Sequence, residues 1–513
     1  MNQPEFHRVG VIGTGVMGRG IVQVLAQAGS LVMAYDMSPE QARAAREQAI
    51  AMIDKLAEKG RIAPELARSA PERISIAADL RDLAECSLIV EAVAEDLEVK
   101  RTLFRELEEI VSTDCVLATN TSSLPVTAIA AGCNRPERVA GFHFFNPVPL
   151  MKVVEVIPGL RTDPGVTARL VAYAGRFGHR AVTTADTPGF LVNHAGRGLT
   201  TEGLRIVQEQ IAQPTVVDRI LEGAAGFRLG PFALLDLTGL DVSSRVFELI
   251  HDGFYQEPRF RPAPLANLRV AAGLYGRKSG EGFYRYRNGT REPLHEDIPS
   301  HAGAPPRAWL GAVEAPFREQ IATLFGGDGL MIDDGPSPAP DSAIILTPIG
   351  HDVTHEALRR DVDPTRALGV DPLFGSGAEG RITLMACPAT RHDIRDAIQA
   401  GLARSRPVSV IADSPGFVCQ RVVAMIINIA CDIAQQAIAT PHDIDDAVRL
   451  GLGYPHGPLG WGDALGPATI LTILQRLHDF YGDPRYRPSP WLTRRARLGL
   501  SLLDSGERGQ AVV

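Results

Sequence analysis

Cysteine is scarce. Six stand in 513 residues, at Cys86, Cys115, Cys133, Cys387, Cys419 and Cys431. They are scattered and form no CxxC pair, which speaks against a zinc ribbon and a disulfide scaffold and for reduced thiols in a cytoplasm. Positive charge is not in excess either. Lys+Arg total 52 against Asp+Glu 60, a net charge of −8. With no extended basic tract, nucleic acid is not expected as the main partner, and a polybasic membrane anchor is not expected at all. No run of about 18 apolar residues is visible, so no membrane-spanning helix is expected. The opening Met1–Phe6 has neither a basic nor an apolar region, so no signal peptide is expected. What is present is ordinary for globular chains: 45% hydrophobic and 22% charged residues. The length suits about three to five domains.

Arg8-Val-Gly-Val-Ile-Gly13 reads as a short buried strand. Helical spacing follows at Met17, Ile21, Leu25 and Ala28, and Leu31–Asp36 reads as a second strand. That is a βαβ unit. Further apolar runs at 87–92, 115–119 and 139–143 alternate with helical stretches, which predicts a parallel sheet covered on both faces. From Gly189 to about Leu274 the pattern is helical. Gly-, Pro- and Asp-rich tracts at 293–306 and 326–340 read as loops or linkers. Strand-like runs return at 343–347, 381–386 and 407–412.

An internal repeat organises the rest. Asp186-Thr-Pro-Gly-Phe190 recurs as Asp413-Ser-Pro-Gly-Phe417, an offset of 227 residues. Gly226-Phe-Arg-Leu-Gly-Pro231 recurs as Gly453-Tyr-Pro-His-Gly-Pro458 at the same offset, and Asp236 maps to Asp463. Glu257-Pro-Arg-Phe-Arg-Pro262 recurs one residue off, as Asp483-Pro-Arg-Tyr-Arg-Pro488. Four blocks in one order indicate a duplicated helical domain. The expected organisation is an α/β Rossmann-like dinucleotide-binding domain over 1–185, a helical domain over 186–290 and a linker over 291–342. A shortened, degenerate α/β segment without a nucleotide site over 343–411 and a second helical domain over 412–513 complete it.

Gly13-Thr-Gly15-Val16-Met17-Gly18 is a GxGxxG between a strand and a helix. The first glycine makes the turn, Gly15 lets backbone approach a pyrophosphate, and Gly18 lets helix and strand pack closely. Asp36 ends the second strand 23 residues after Gly13, where a carboxylate can accept ribose hydroxyls. No arginine follows to take a 2′-phosphate, so NAD is expected over NADP. A second match, Gly375-Ser-Gly377-Ala-Glu-Gly380, precedes a strand-like run and is expected to be a turn. His351 and His355, four apart, lack the Glu of an HExxH zinc helix and are read as helix surface, so no metal is expected.

His143 ends a buried run, and Glu155 follows in another. Histidine titrates near neutrality and suits a group that takes an alcohol proton, and a carboxylate on its other ring nitrogen would fix the tautomer. A buried structural histidine fits the same residues taken alone.

Taken together, Asn120-Thr-Ser122-Ser-Leu124, His143-Phe-Phe-Asn-Pro-Val-Pro149, Glu155, Asp186–Asn193 and Gly230–Asp236 resemble the L-3-hydroxyacyl-CoA dehydrogenase family over residues 8–286. The two-part length resembles the long bacterial form associated with phenylacetate degradation. That resemblance implies NAD-dependent oxidation of a 3-hydroxyacyl-CoA to the ketone, with 3-hydroxyadipyl-CoA as substrate or, alternatively, 3-hydroxybutyryl-CoA or the general intermediates of fatty-acid β-oxidation. It implies His143 as base, Glu155 as its acid partner, and Ser122 and Asn193 as donors to the C3 oxygen. It places Gly13, Gly15, Val16, Met17, Gly18, Asp36, Glu95, Lys100 and Asn120 around NAD. Lys55, Lys59 and Arg61 are candidates for the anionic CoA tail, although a solvated helix face explains them equally well. His194 departs from the arginine many members carry after the asparagine. In the family the helical domain forms the dimer, so two copies in one chain imply an internal pseudo-dimer, with a further homo-oligomer left open. Two other readings compete. A non-enzymatic, crystallin-like relative predicts damage at His143, Glu155 or Ser122, and a 6-phosphogluconate-type enzyme wants a lysine base. Neither is met.

Overall fold

The computed structural model describes residues 5–296, 298–299, 306–327, 330–377 and 379–505. It holds two compact units: residues up to His194 with Gln436–Leu452, and Ala195–Gln435 with the segment from Gly453.

The first unit is built on eight strands: β1 (Arg8–Ile12), β2 (Leu31–Tyr35), β3 (Ile74–Ile76), β4 (Leu88–Glu91), β5 (Val116–Thr119), β6 (Val139–Phe144), β7 (Val153–Pro158) and β8 (Arg180–Thr183). Their order is β3-β2-β1-β4-β5-β6-β7-β8. Successive side chains feed opposite cores: Leu88 and Val90 join one apolar cluster and Ile89 the other. The strand–helix alternation predicts a parallel sheet, and the structure corrects this in one place. β6 and β7 are antiparallel. The connection from Phe144 to Val153 is too short for a crossover, so the chain turns straight back. Helix Pro441–Gly451, from the far end of the sequence, packs on β7 and β8.

In the second unit a hairpin, β9 (Tyr286–Arg287) and β10 (Thr290–Arg291), precedes a six-stranded sheet. Its strands are β11 (Arg307–Trp309), β12 (Met331–Asp333), β13 (Ala343–Leu346), β14 (Ala367–Val370), β15 (Ile382–Ala386) and β16 (Val408–Ala412), in the order β12-β11-β13-β14-β15-β16. The expected linker 291–342 is therefore corrected. It supplies β11, helix Ala315–Gly327 and β12 to this sheet. Strands of three residues are too short to show alternation, and the surrounding Gly and Pro mask them. Within those tracts, 297, 300–305 and 328–329 lie outside the described residues. The second GxGxxG joins antiparallel β14 to β15, a turn as expected, with Ala378 outside the described residues.

This unit also holds the helices from Arg197–Gln208 to Pro264–Ala271, helix Val418–Gln435, and those from Pro458–Leu465 to Pro490–Leu498. Val418–Gln435 is long and apolar enough, by composition, to cross a membrane, but 89% of it is buried inside the protein. Gln420, Arg421, Asn428 and Asp432 break its apolar run, which is why the sequence shows none. Arg421 reaches Glu202 at 2.8 Å, both fully buried. Arg261 pairs with Asp483 and Arg487 with Glu257, each at 3.3 Å.

His351 does not share a helix with His355. Helix Val353–Arg359 starts after it, capped by Asp352. The two rings stack at 3.9 Å, and ligand atoms of His351, His355 and Glu356 lie within 4.8 Å of one another. Ring lone pairs lie in the ring planes, so stacked rings do not converge on one ion. Glu356 is taken up by Arg359 and Arg360.

Candidate active site

The nucleotide end is built by β1, the glycine turn and helix Val16–Gln27. Gly13 has φ +85°, and a Cβ on Gly18 would meet the Gly13 carbonyl oxygen at 1.8 Å, so only glycine fits either place. A Cβ on Gly15 would meet no protein atom within 4 Å. It would project into the space before the helix N-terminus, the cradle a pyrophosphate needs. Val16 is exposed at that terminus, and Met17 packs under it against the core. Asp36 is held ready beside it. Its Oδ2 accepts from Thr14 N at 2.8 Å and Thr14 Oγ1 at 2.9 Å, and Oδ1 accepts from Ser38 N at 3.1 Å. Burial pushes its pKa up, but these hydrogen bonds outweigh that and hold it below the usual carboxylate range. The residues therefore fit NAD.

His143 and Glu155 are direct cross-strand partners on β6 and β7. His143 Nδ1 lies 2.6 Å from Glu155 Oε2. Glu155 is fully buried and His143 is 5% exposed. The other carboxylate oxygen, Oε1, accepts from Leu191 N at 3.0 Å and Val192 N at 2.7 Å. A buried carboxylate with two amide donors and one imidazole is paired at both oxygens. Asn193 follows in the short helix Val192–Ala195, so its backbone continues the turn that grips Glu155.

Ser122 is exposed and sits on a loop organised by Glu95. Glu95 Oε1 accepts from Thr121 Oγ1 at 2.7 Å, Ser122 N at 2.9 Å and Ser123 Oγ at 2.8 Å. Burial would raise the Glu95 pKa, but the Lys100 ammonium and these hydrogen bonds hold it low. Lys100 is itself buried, with Nζ 2.6 Å from Glu91 and 3.3 Å from Glu95. Asn120 Oδ1 accepts from Phe144 N at 2.8 Å, tying the end of β5 to the end of β6. Sequence reasoning missed Glu91. Its carboxylate, buried on β4, also takes Thr119 Oγ1 at 2.7 Å and Val93 N at 2.7 Å. An acid closing an apolar strand was the available signal.

Lys55 lines a cavity of about 520 Å³ between helices Val16–Gln27 and Pro39–Glu58 and the loop Asn146–Leu150. Met52, Leu56 and Leu150 make most of it apolar, and Arg19 donates to Gln48 at its side. Gln23 Nε2 is buried there without a hydrogen-bond partner among the described residues. Lys59 caps the helix and Arg61 is exposed, and neither lines this cavity.

The sequence profile of the 3-hydroxyacyl-CoA dehydrogenase NAD binding domain covers residues 8–187. That of the C-terminal domain covers 189–286 and again 416–509. A 3-hydroxyadipyl-CoA dehydrogenase of Escherichia coli is 37% identical over 97% of this chain and 98% of its own length. A 3-hydroxybutyryl-CoA dehydrogenase structure from Escherichia coli superposes with a TM-score of 0.83 at 35% identity, covering 97% of this chain and 99% of that one. A probable 3-hydroxybutyryl-CoA dehydrogenase of Bacillus subtilis is 40% identical but spans only 56% of this chain and 99% of its own length. With both domain profiles matched and a relative aligned almost end to end, the chain belongs to the 3-hydroxyacyl-CoA dehydrogenase family, enzymes that oxidise a 3-hydroxyacyl-CoA to the 3-ketoacyl-CoA with NAD.

Proposed function

We propose that the substrate is a 3-hydroxyacyl-CoA whose distal end carries a carboxylate, as in 3-hydroxyadipyl-CoA, and that His143 is the base. The carboxylated tail is supported by the relative that matches both halves of the chain and is named for that substrate. The base rests on one observation, the His143–Glu155 contact at 2.6 Å. With Nδ1–H donated to Glu155, Nε2 is left as the acceptor for the C3 hydroxyl proton. The Glu155 carboxylate stabilises the imidazolium that results. Ser122 and Asn193 are assigned as donors to the C3 oxygen. NAD held at the glycine turn and Asp36 would supply the hydride acceptor for C3. Glu95 and Lys100 shape the Ser122 loop beside it, and Asn120 sets the end of β6. Lys55, Lys59 and Arg61 are assigned to the phosphates of CoA, with the apolar cavity beside Lys55 taking its pantetheine arm. The six scattered cysteines suit a reducing cytoplasm.

The second half is read as a duplicated, degenerate copy, and the two helical segments as an internal pseudo-dimer. Reciprocal contacts support this. Ala185 N donates to Ile438 O and Ala412 N to Ile211 O, two bonds related by the 227-residue offset. Arg261–Asp483 and Arg487–Glu257 are likewise one ion pair made twice. The test of the reaction is NADH absorbance across acetoacetyl-, longer 3-ketoacyl- and 3-ketoadipyl-CoA. A higher kcat/KM for 3-ketoadipyl-CoA supports the carboxylated tail, and a preference for the four-carbon thioester refutes it.

A further inference from the structure

The second half of the chain does more than shield an apolar face. Residues 436–452 belong to the same compact unit as the NAD-binding sheet. Helix Pro441–Gly451 is fastened there by Arg180 on β8, which reaches Asp443 at 2.6 Å and Asp446 at 2.9 Å. Ala185 N donates to Ile438 O at 2.8 Å just ahead of the helix.

The helix ends against the turn that holds Glu155. A Cβ built on Gly451 would lie 3.1 Å from both methyls of Val192 and 3.2 Å from a methyl of Val153 on β7. Gly451 is not among the glycines with positive φ, so backbone conformation does not demand a glycine here. The closeness of Val192 and Val153 is what leaves a Cβ little room. Val192 N is the shorter of the two amide donors to Glu155 Oε1, at 2.7 Å, and Glu155 Oε2 is the group on His143 Nδ1. A bulkier residue at 451 has to move Val192 and Val153, both fully buried in a close-packed core.

We propose that helix Pro441–Gly451 positions the catalytic carboxylate, with Gly451 as the positioning residue that seats the Val192 amide on Glu155. Gly451 touches no reacting atom and acts through Val192. The inference rests on the assignment of His143 and Glu155 above. It gives the second half a direct share in turnover, because the helix comes from the repeat that carries no nucleotide motif.

The test uses the full chain. Gly451→Val is expected to lower kcat by about 10-fold or more, in line with the cost of small misplacements at a reacting centre, while KM for NAD changes less than twofold. Displacing the Val192 amide from Glu155 Oε1 also changes the surroundings of the His143–Glu155 pair, so the kcat/KM–pH profile is expected to shift. Gly451→Ala, with one methyl to accommodate, is expected to fold and to show a smaller change in the same direction. It decides the matter if the valine variant is insoluble. Ala224→Val, the offset-related position on helix Pro214–Ala225, is the matched lesion and should leave kcat and the pH profile alone. Wild-type kcat and pH profile in the soluble Gly451 variants overturn the proposal, as does an equal loss in Ala224→Val. Failure of the underlying assignment reads differently, as near wild-type kcat in His143→Gln.

Discussion

β5–β8 and β13–β16 share one four-stranded arrangement, and the proposed base pair lies in only one of them. In each, two parallel strands are followed by an antiparallel partner and a last strand parallel to it. Phe142 pairs with Val156 in one, Val370 with Leu384 in the other, an offset of 228 on both strands. Both clip a helix start with an aspartate: Asp186 accepts from Val126 N and Thr127 N, Asp413 from Val353 N and Thr354 N. Carried over by these offsets, His143 falls on Asp371, Glu155 on Thr383 and Asn193 on Gln420. Gln420 Nε2 donates to Asp371 Oδ1 and Pro348 O, each at 3.1 Å, and its Oε1 accepts from Gly350 N at 2.8 Å. The amide thus spends its hydrogen bonds on the chain itself. Burial pushes the Asp371 pKa up to about 7. Strand pairing and the Asp clip are present in both arrangements, so the frame does not depend on a His–Glu pair.

The sharpest way to break this comparison is at the paired positions. His143→Gln should lower kcat by about 10²–10⁴-fold, the scale of a general base, with NAD binding intact by fluorescence titration. Asp371→Asn should leave kcat unchanged. Equal losses in both would mean that the second sheet also works in turnover.

A chain ending near residue 290 removes the second arrangement altogether. It should self-associate, because the face of helix Arg197–Gln208 that meets Val418–Gln435 becomes uncovered. A second copy can also present helix Pro214–Ala225 where Pro441–Gly451 sat, so specific activity should fall on dilution. Light scattering alongside rate measurement checks this. A monomeric, fully active fragment would remove the pseudo-dimer.

The nucleotide end sharpens the contrast further, since β11 is followed by Leu310-Gly-Ala-Val-Glu314 and not by a GxGxxG. NAD should exceed NADP in kcat/KM by about 10- to 100-fold, because Asp36 opposes a 2′-phosphate with like charge. Equal values would show that Asp36 does not face the ribose.

The smallest expected effect is on stability. Asp371 keeps its proton in the folded chain at pH values where the unfolded chain has released it. The stability it adds is present below its unfolded pKa of about 4 and is lost as pH rises through about 7. Asp371→Asn should therefore shrink the drop in Tm between pH 5 and pH 8, while Asp218, also pushed up to about 7, keeps its own share. An unchanged drop would show that Asp371 titrates normally.

The glycine turn with Asp36, and the 227-residue repeat, were legible in sequence because each is carried by neighbours along the chain. A strand, a tight turn and a helix leave a spacing that residues alone display. Glu155 as partner of His143 was visible only as a carboxylate twelve residues on. Strand direction and register put the two opposite each other, and the Leu191 and Val192 amides completed the pair from beyond β8. β11 and β12, too short to show a pattern, were hidden among glycine and proline until the sheet gathered them. That Gly451, some 260 residues beyond Val192, should press on it was decided by tertiary packing alone, because close contact between distant segments depends on which faces meet, and a sequence records faces without their partners.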